Sequence, residues 1–288
     1  MKLIRFGEKK KEKPGVFLNG IRYDVSSHFS DFTGDFFSNN GVQKLQSIVD
    51  NELNSLPIVS ENERWGACVA KPSKIVCVGL NYAAHVKEMN RELADEPTLF
   101  FKSPSAVCGA YDPIIIPKTS QKTDYEVELA VLIGKDAHYL YSDIQAKEYI
   151  AGYLAANDVS ERAFQTERAG LWCKGKSSDN FCPLGPWLLT ADEMPNDYNL
   201  TLQLSVNGEM RQNQKTEMMI RKPEYLVYYI SQFMTLEAGD VILTGTPEGV
   251  GKGRKPEVYL KENDEVKLEI DFLGHQKMTC VAYDSPLI

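Results

Sequence analysis

The chain has 288 residues, 43% apolar and 25% charged, with a net charge of −8. That size leaves room for one large domain or a main domain with a smaller appendage, and the acidic surplus speaks against a nucleic-acid binder, which needs a basic face. No apolar run is long enough to cross a bilayer, and MKLIRFGEKKKEKPG lacks the apolar core of a signal peptide. Six scattered cysteines without a CxxC pair exclude the common zinc and thioredoxin patterns and suit reduced thiols. The expectation is a soluble cytoplasmic protein with neither a membrane nor a nucleic-acid partner.

In chain order, LIRFG and GVFLNGIRYDVSS read as strands, the second turning at the hairpin signal Asn19-Gly20. The basic run Lys9 to Lys13 holds Glu12 and reads as solvated. FTGDFF and a helix candidate from Gly41 to Asn51 follow, and Ser60 to Arg64 reads as a connector. The predicted division is a small N-terminal α+β domain over 1–70 and a larger domain over 71–288. After the boundary come the strand SKIVCVGLN and the helical NYAAHVKEMN. Strands recur in PTLFFKS, DPIIIP, TDYEVELAVLIG, YIAGYLAANDVS, PWLLT, LTLQLSVNG, DVILTGTP, EVKLEIDFLG and QKMTCVAYD. ERAFQTERAG and PEYLVYYISQFM are the best later helices, the latter with Pro223 in its first turn. Strands outnumber helices without alternating with them, which predicts an α+β fold, mainly β.

TDYEVELAVLIG carries an oddity. In an extended chain Asp124, Glu126 and Glu128 share one face, while Tyr125, Val127, Leu129, Val131 and Ile133 share the other. Beyond Glu128 the acidic face itself turns apolar, with Ala130 and Leu132. Two glutamates at the start of a core strand repel each other and push one proton back on, unless a cation sits between them. Hard ions such as Mg²⁺, Mn²⁺ or Ca²⁺ take carboxylate oxygens, and no nearby His or Cys points to zinc. Asp158, closing YIAGYLAANDVS, is a natural third ligand. It could equally cap the next helix, and the glutamates could equally face water or a lysine.

His85 and Glu88, at i and i+3, share a helix face. A histidine held by a carboxylate is a common general base, and a surface salt bridge reads the same way. Lys174 and Lys176 lie among Gly and Ser in WCKGKSSDNF, read as a loop where a lysine meets an anion or only water. TGTPEGVGKG is a Gly-rich turn whose N–H groups can approach a ligand, without the Walker spacing.

Taken in order, KIVCVGLNYAAHVKEM, KTDYEVELAVLIG, AGYLAANDVSERAFQ, KGKS and GDVILTGTPEGVG resemble the fumarylacetoacetate hydrolase family over roughly residues 72 to 284. The resemblance implies a mixed β-sandwich or β-roll with a few helices, preceded by a small N-terminal domain. It implies that Glu126, Glu128 and Asp158 hold Mg²⁺ or Mn²⁺, with Ca²⁺ as a non-productive substitute. It further implies a water-activating dyad of His85 and Glu88, a charge-stabilising Lys176, and Arg162, Gln165, Thr246 and Gly245 on the substrate side. CVGLNYAAH lacks the fourth acidic ligand of the founding branch, so a water would take its place.

MKLIRFG, VSERAFQTERAGLWCKGKS and SQFMTLEAGD are similar to the sugar-acid branch, which contains 2,4-diketo-3-deoxy-L-fuconate and -rhamnonate hydrolases and is often labelled ureidoglycolate lyase. That implies carbon–carbon cleavage of a 2,4-diketo acid to pyruvate and a hydroxy acid such as lactate, by a homodimer. Competing readings are an oxaloacetate-type 2-oxo acid decarboxylase, an isomerase or tautomerase, ureidoglycolate cleavage, and a non-catalytic β module stabilised by calcium. Asp124 has no role in any of these and is expected to be solvated. RQNQKTEMM is expected to be a loop shaping the pocket for the substrate's far end.

Overall fold

Apolar runs punctuated by Gly, Pro and Asn become short strands, and the computed structural model describes residues 1–195 and 199–286. The N-terminal segment forms β1 (Lys2–Phe6), β2 (Lys13–Leu18) and β3 (Ile21–Asp24), then α1 (Gly34–Ser38) and α2 (Gly41–Glu52). Asn19 and Gly20 join β2 to β3 at φ 51° and 83°, the left-handed conformation that a two-residue hairpin demands. Next come β4 (Ile75–Gly79), α3 (Ala83–Glu88), β5 (Thr98–Lys102), β6 (Val107–Gly109), β7 (Ile114–Ile116), β8 (Thr123–Asp124) and β9 (Val127–Ile133). The middle of the chain supplies α4 (Asp143–Ala146), β10 (Ile150–Asn157), β11 (Ser160–Glu161), α5 (Arg162–Thr166), α6 (Trp172–Lys176), β12 (Cys182–Leu184) and β13 (Leu188–Thr190). The last elements are β14 (Thr201–Val206), β15 (Glu209–Lys215), α7 (Pro223–Ser231), β16 (Val241–Leu243), β17 (Glu265–Ile270) and β18 (Gly274–Ala282).

The architecture is α+β and mainly β. One large sheet runs β3-β2-β1-β13-β10-β9-β16-β4-β5, with β12 and β6 attached beside β10. A second sheet runs β15-β14-β17-β18-β7, and β8 with β11 makes a small third. β14 and β17 alternate buried and more exposed residues, the period of a sheet with one wet face. β9 is different: all seven residues are buried, because β10 and β16 flank it and both faces are covered. Burying Val127, Leu129, Val131, Leu132 and Ile133 contributes roughly 1.5–3 kcal/mol each. That sum outweighs the several kcal/mol that burying Glu128 on the same strand costs.

The main sheet crosses the predicted domain boundary. Lys2 and Leu3 of β1 pair with Leu189 and Leu188 of β13, so the N-terminal strands extend the sheet that carries β9. A division at residue 70 is therefore a proposal about independent folding, made across a continuous backbone ladder. Two local expectations need correction. WCKGK is a helical turn, α6, and not a loop, because Ala169 and Gly170 (φ 65° each) reverse the chain after α5 and let α6 pack on it. RQNQK belongs to β15, paired along its length with β14, and TEM forms a 3₁₀ turn. Among the described residues no helix is long and apolar enough to cross a membrane.

Candidate metal-binding active site

The site grows from the register of β9 on β10. Antiparallel pairing sets Glu128 opposite Ala156 and Val127 opposite Asn157. Just past the ladder, Glu126 N–H donates to Asn157 Oδ1 at 3.0 Å and Asp158 N–H donates to Glu126 O at 2.9 Å. Glu126, Glu128 and Asp158 thereby converge, each buried, with ligand oxygens all within 4.8 Å of one another. Asp158 does not cap α5. Glu161 does, accepting from Ala163 N–H at 3.0 Å.

From the other side β16 pairs with β9 and sends its exit loop across the acids. Gly245 N–H donates to Glu128 Oε2 at 2.7 Å. A Cβ at Gly245 (φ 98°) would stand 2.7 Å from Asn81 Cβ, so only glycine brings this N–H so close. Thr246 lines the cleft, but its hydroxyl is already committed, donating to Val127 O at 2.9 Å and accepting from Gln212 at 2.8 Å.

Cations interleave with the acids. Lys176 at the end of α6 reaches Glu126 Oε2 at 2.6 Å and also bonds Asp158 Oδ2, lying 5.0 Å from the centre of the Phe100 ring. Gly175 makes this possible, since a Cβ there would fall 2.6 Å from the Gln165 nitrogen and the Glu161 oxygen of the α5 segment. Arg162 Nη2 meets Glu126 Oε1 at 2.6 Å, and its Nη1 reaches Gln165 Oε1 at 3.3 Å. Lys102, at the end of β5, is buried and donates to Asp158 Oδ1 at 2.6 Å and Val159 O at 3.0 Å. Sequence reasoning missed Lys102. Its one signal was a charge closing the apolar run TLFF, the mirror of the acids that open β9.

Asp124 corrects an expectation outright. It is fully buried and unsolvated, accepting from Arg162 Nε at 2.8 Å, Gly251 N–H at 2.7 Å and Lys252 N–H at 3.0 Å. The local reason is that β8 pairs with β11 and turns Asp124 under α5 instead of leaving it at an open strand mouth.

The charge balance is uneven. Three buried cations, Lys102, Arg162 and Lys176, face four buried carboxylates, Asp124, Glu126, Glu128 and Asp158. Burial works to raise the Glu126 pKa, but Arg162 and Lys176 outweigh it and hold that carboxyl below its ordinary range. Among the described residues Glu128 accepts only from the Gly245 N–H, and burial followed by the charges of Asp158 and Glu126 pushes its pKa well above that range. Burial opposes the charge on Lys176 too, yet Asp158 and Glu126 together keep its pKa raised. With all four acids ionised the cluster is one positive charge short, at Glu128, the one of the four without an ion pair among the described residues. An all-oxygen donor set with that deficit fits a hard divalent cation.

His85 and Glu88 stand across the cleft on α3. His85 Nδ1 lies 3.0 Å from Glu88 Oε2, and Glu88 Oε1 accepts from Gly249 N–H at 2.9 Å. A carboxylate only accepts, so Nδ1 carries the hydrogen of this contact. A Cβ at Gly253 would sit 2.2 Å from Glu88 Cδ, so the loop clamps the glutamate against the imidazole. His85, Glu126, Glu128, Asp158, Arg162, Gln165, Lys176 and Thr246 line one small cleft, while Glu88 backs His85 and Gly245 backs Glu128. A larger cavity of about 900 Å³ lies between β1 and the 104–108 segment. It touches none of these residues, and Arg5 and Arg64 in its wall are paired with Asp31 and Asp112.

This β-rich scaffold brings three buried carboxylates together in a cleft, a donor set that could hold a metal ion. The chain belongs to the fumarylacetoacetate hydrolase family: the model described as Fumarylacetoacetate (FAA) hydrolase C-terminal matches residues 74–281. A relative from Burkholderia ambifaria, known by no more specific word than hydrolase, is 47% identical over 278 residues, covering 96% of this chain and 97% of its own. The solved structure of fumarylacetoacetate hydrolase from Exiguobacterium antarcticum superposes with a TM-score of 0.85 at 37% identity, covering 98% of this chain and 99% of that one. Maleylpyruvate hydrolase from Sphingobium sp. SYK-6, solved with manganese(II) and pyruvate, gives 0.81 at 26% identity, over 98% and 99% of the two chains.

Proposed function

We propose that this chain is a Mg²⁺- or Mn²⁺-dependent hydrolase that cleaves a carbon–carbon bond in a 2,4-diketo acid and releases pyruvate. The observation carrying this reading is the facing of the buried triad Glu126, Glu128 and Asp158 by the His85–Glu88 pair and Lys176 in one cleft. The manganese and pyruvate of the Sphingobium enzyme support it. When bound, the cation supplies Lewis-acid polarisation of the 2-oxo-acid head.

The chain's own residues account for the remaining steps. Glu88 fixes the tautomer of His85, and His85 Nε2 takes a proton from water as its oxygen bonds to the C4 carbonyl carbon. Lys176 offsets the negative charge that develops on the C4 oxygen. The C3–C4 bond then breaks, its electron pair passes to C3 of the pyruvate fragment, and His85 returns the proton there. Arg162 and Gln165 orient the head. With the sugar-acid tail expected from the sequence, the second product is lactate.

The test is to incubate the Mg²⁺- or Mn²⁺-loaded protein with a panel of 2,4-diketo acids and identify the products. Pyruvate released in step with a second acid supports the reading. Carbon dioxide would establish a decarboxylase, and a product of unchanged mass an isomerase. His85→Ala should retain the metal and lose turnover by about 10²-fold or more; near-normal kcat would overturn the dyad.

A further inference from the structure

β15 is an edge strand of the second sheet, yet it reaches into the loop that follows β16. Gln212 is 1% exposed, with both amide hydrogens and its oxygen engaged. Its Oε1 accepts from Val127 N–H at 3.0 Å, and its Nε2 donates to Thr246 Oγ1 at 2.8 Å and to Pro247 O at 2.9 Å. Two residues on, Gln214 Nε2 donates to Glu248 Oε1 at 3.1 Å. The strand is bulged here, because Leu204 of β14 pairs with Gln212 while Ser205 pairs with Met210. Arg211 is left out of the ladder and lies against the loop, where a Cβ at Gly249 (φ 104°) would stand 2.0 Å from its carbonyl oxygen.

The peptide that Gln212 grips lies between Glu126 and Glu128. β16 pairs with β9 at Ala130, Val131 and Leu132, and Thr244 N–H still meets Leu129 O at 3.1 Å. Past that point β16 has turned away into its loop, so no strand is left beside Val127. Side chains stand in for it. Gln212 takes the Val127 N–H, Thr246 Oγ1 donates to Val127 O at 2.9 Å, and the bond between Gln212 and Thr246 closes the ring. Both glutamates project from one face of the strand on either side of this anchored residue. The same loop delivers Gly245 N–H to Glu128 and Gly249 N–H to Glu88.

We propose that Gln212 is a positioning residue for the carboxylate centre: through Thr246 and the backbone of Val127 it holds Glu126 and Glu128 in place to share one cation. The ligand role of the two glutamates rests on the reading above, and the hold on them rests on the Gln212–Val127–Thr246 ring. The single hydrogen of the Thr246 hydroxyl is spent on Val127 O, so Thr246 serves this ring and has none left for a substrate carboxylate. RQNQKTEMM, expected from the sequence to shape the far end of the pocket, thus acts on its carboxylate end.

The test is calorimetric titration of Mn²⁺ into the metal-free protein, at a temperature where circular dichroism finds each variant folded. Gln212→Met keeps the length of the side chain and removes its hydrogen bonds, and should weaken Mn²⁺ binding by about 10- to 100-fold, the usual effect of removing a ligand's outer support. Thr246→Val opens the same ring and should also weaken binding. The double variant should lose less than the product of the two single losses, because both break one network. Leu268→Ala, buried in β17 one strand beyond Leu204, controls for a general loosening of the second sheet; it should lower the melting temperature and leave Mn²⁺ affinity unchanged. Full affinity in Gln212→Met, losses that simply multiply, or equal weakening in Leu268→Ala would overturn the proposal. Should Gln212→Met not fold, full affinity in Thr246→Val overturns it instead. No Mn²⁺ binding by the unsubstituted protein would remove the metal reading and this proposal with it, whereas Mn²⁺ binding that depends on Gln212 without cleavage of any diketo acid would remove the reaction alone.

Discussion

Asp124 Oδ2 accepts from Arg162 Nε at 2.8 Å while the N–H groups of Gly251 and Lys252 close on the same carboxylate. One buried acid thus ties Arg162 of α5 to the glycine-rich loop after β16. Asp124→Asn keeps the shape and removes the charge, leaving Arg162 to Glu126 alone. Breaking a buried pair in this way costs roughly 3–5 kcal/mol, so the melting temperature should drop by several degrees. kcat/KM should fall with it as Arg162 and the loop lose their shared anchor. Thermal melts and steady-state kinetics on the same variant check both, and an unchanged melting temperature would show that the loop is held elsewhere.

Glu128 sets stability against the metal binding proposed for it. It is buried beside two other acids with a single backbone N–H for company. Glu128→Gln removes the like-charge repulsion, so the metal-free variant should melt at or above the unsubstituted protein, by about 1 kcal/mol. The same change removes the charge of a proposed ligand, and affinity for Mn²⁺ should fall at least about tenfold. Stripping the metal with a chelator should therefore lower the melting temperature of the unsubstituted protein and barely move that of the variant.

Gly253 offers a steric probe of the His85–Glu88 pair that leaves the metal centre alone. An added methyl at 253 would lie 2.2 Å from Glu88 Cδ. Gly253→Ala should displace the glutamate and lower kcat by about 10²-fold, the usual effect of misplacing a catalytic group by roughly an ångström. Mn²⁺ affinity should hold steady. A parallel loss of metal would mean that the loop collapsed rather than the dyad.

Thiol chemistry reads the packing directly. Cys68, Cys77, Cys108, Cys182 and Cys280 are buried, and burial raises each thiol's pKa, whereas Cys173 on α6 is half-buried. A thiolate-specific reagent should modify one cysteine in the native protein and six once it is unfolded. Fast reaction of two or more in the native state would contradict the packing of the main sheet.

Much of the fold was legible because strand periodicity is local. The alternation in TLQLSV and EVKLEI, the unbroken run in VELAVLI and the Asn19-Gly20 turn each declare themselves within a few residues. Segments whose state depends on a distant partner were less legible. WCKGK becomes helical because Gly175 lets it press on α5, and RQNQK becomes a strand because β14 lies beside it. Neither signal exists within the segment itself.

The same division runs through the site. The alternation of TDYEVEL by itself placed Glu126 and Glu128 on one face and made them too close to bury without a cation, and the i, i+3 spacing placed Glu88 against His85. Only the tertiary structure decided that Asp158 lies across from the glutamates, that Lys102 reaches it, that Asp124 is buried under Arg162, and that Gln212 joins Val127 to Thr246. The physical reason is the reach of each constraint. Backbone geometry repeats every two or four residues and is written in the chain, whereas β9–β10 register, the turn of β8 onto β11 and the closure of the glycine loop are set by packing between segments up to 127 residues apart.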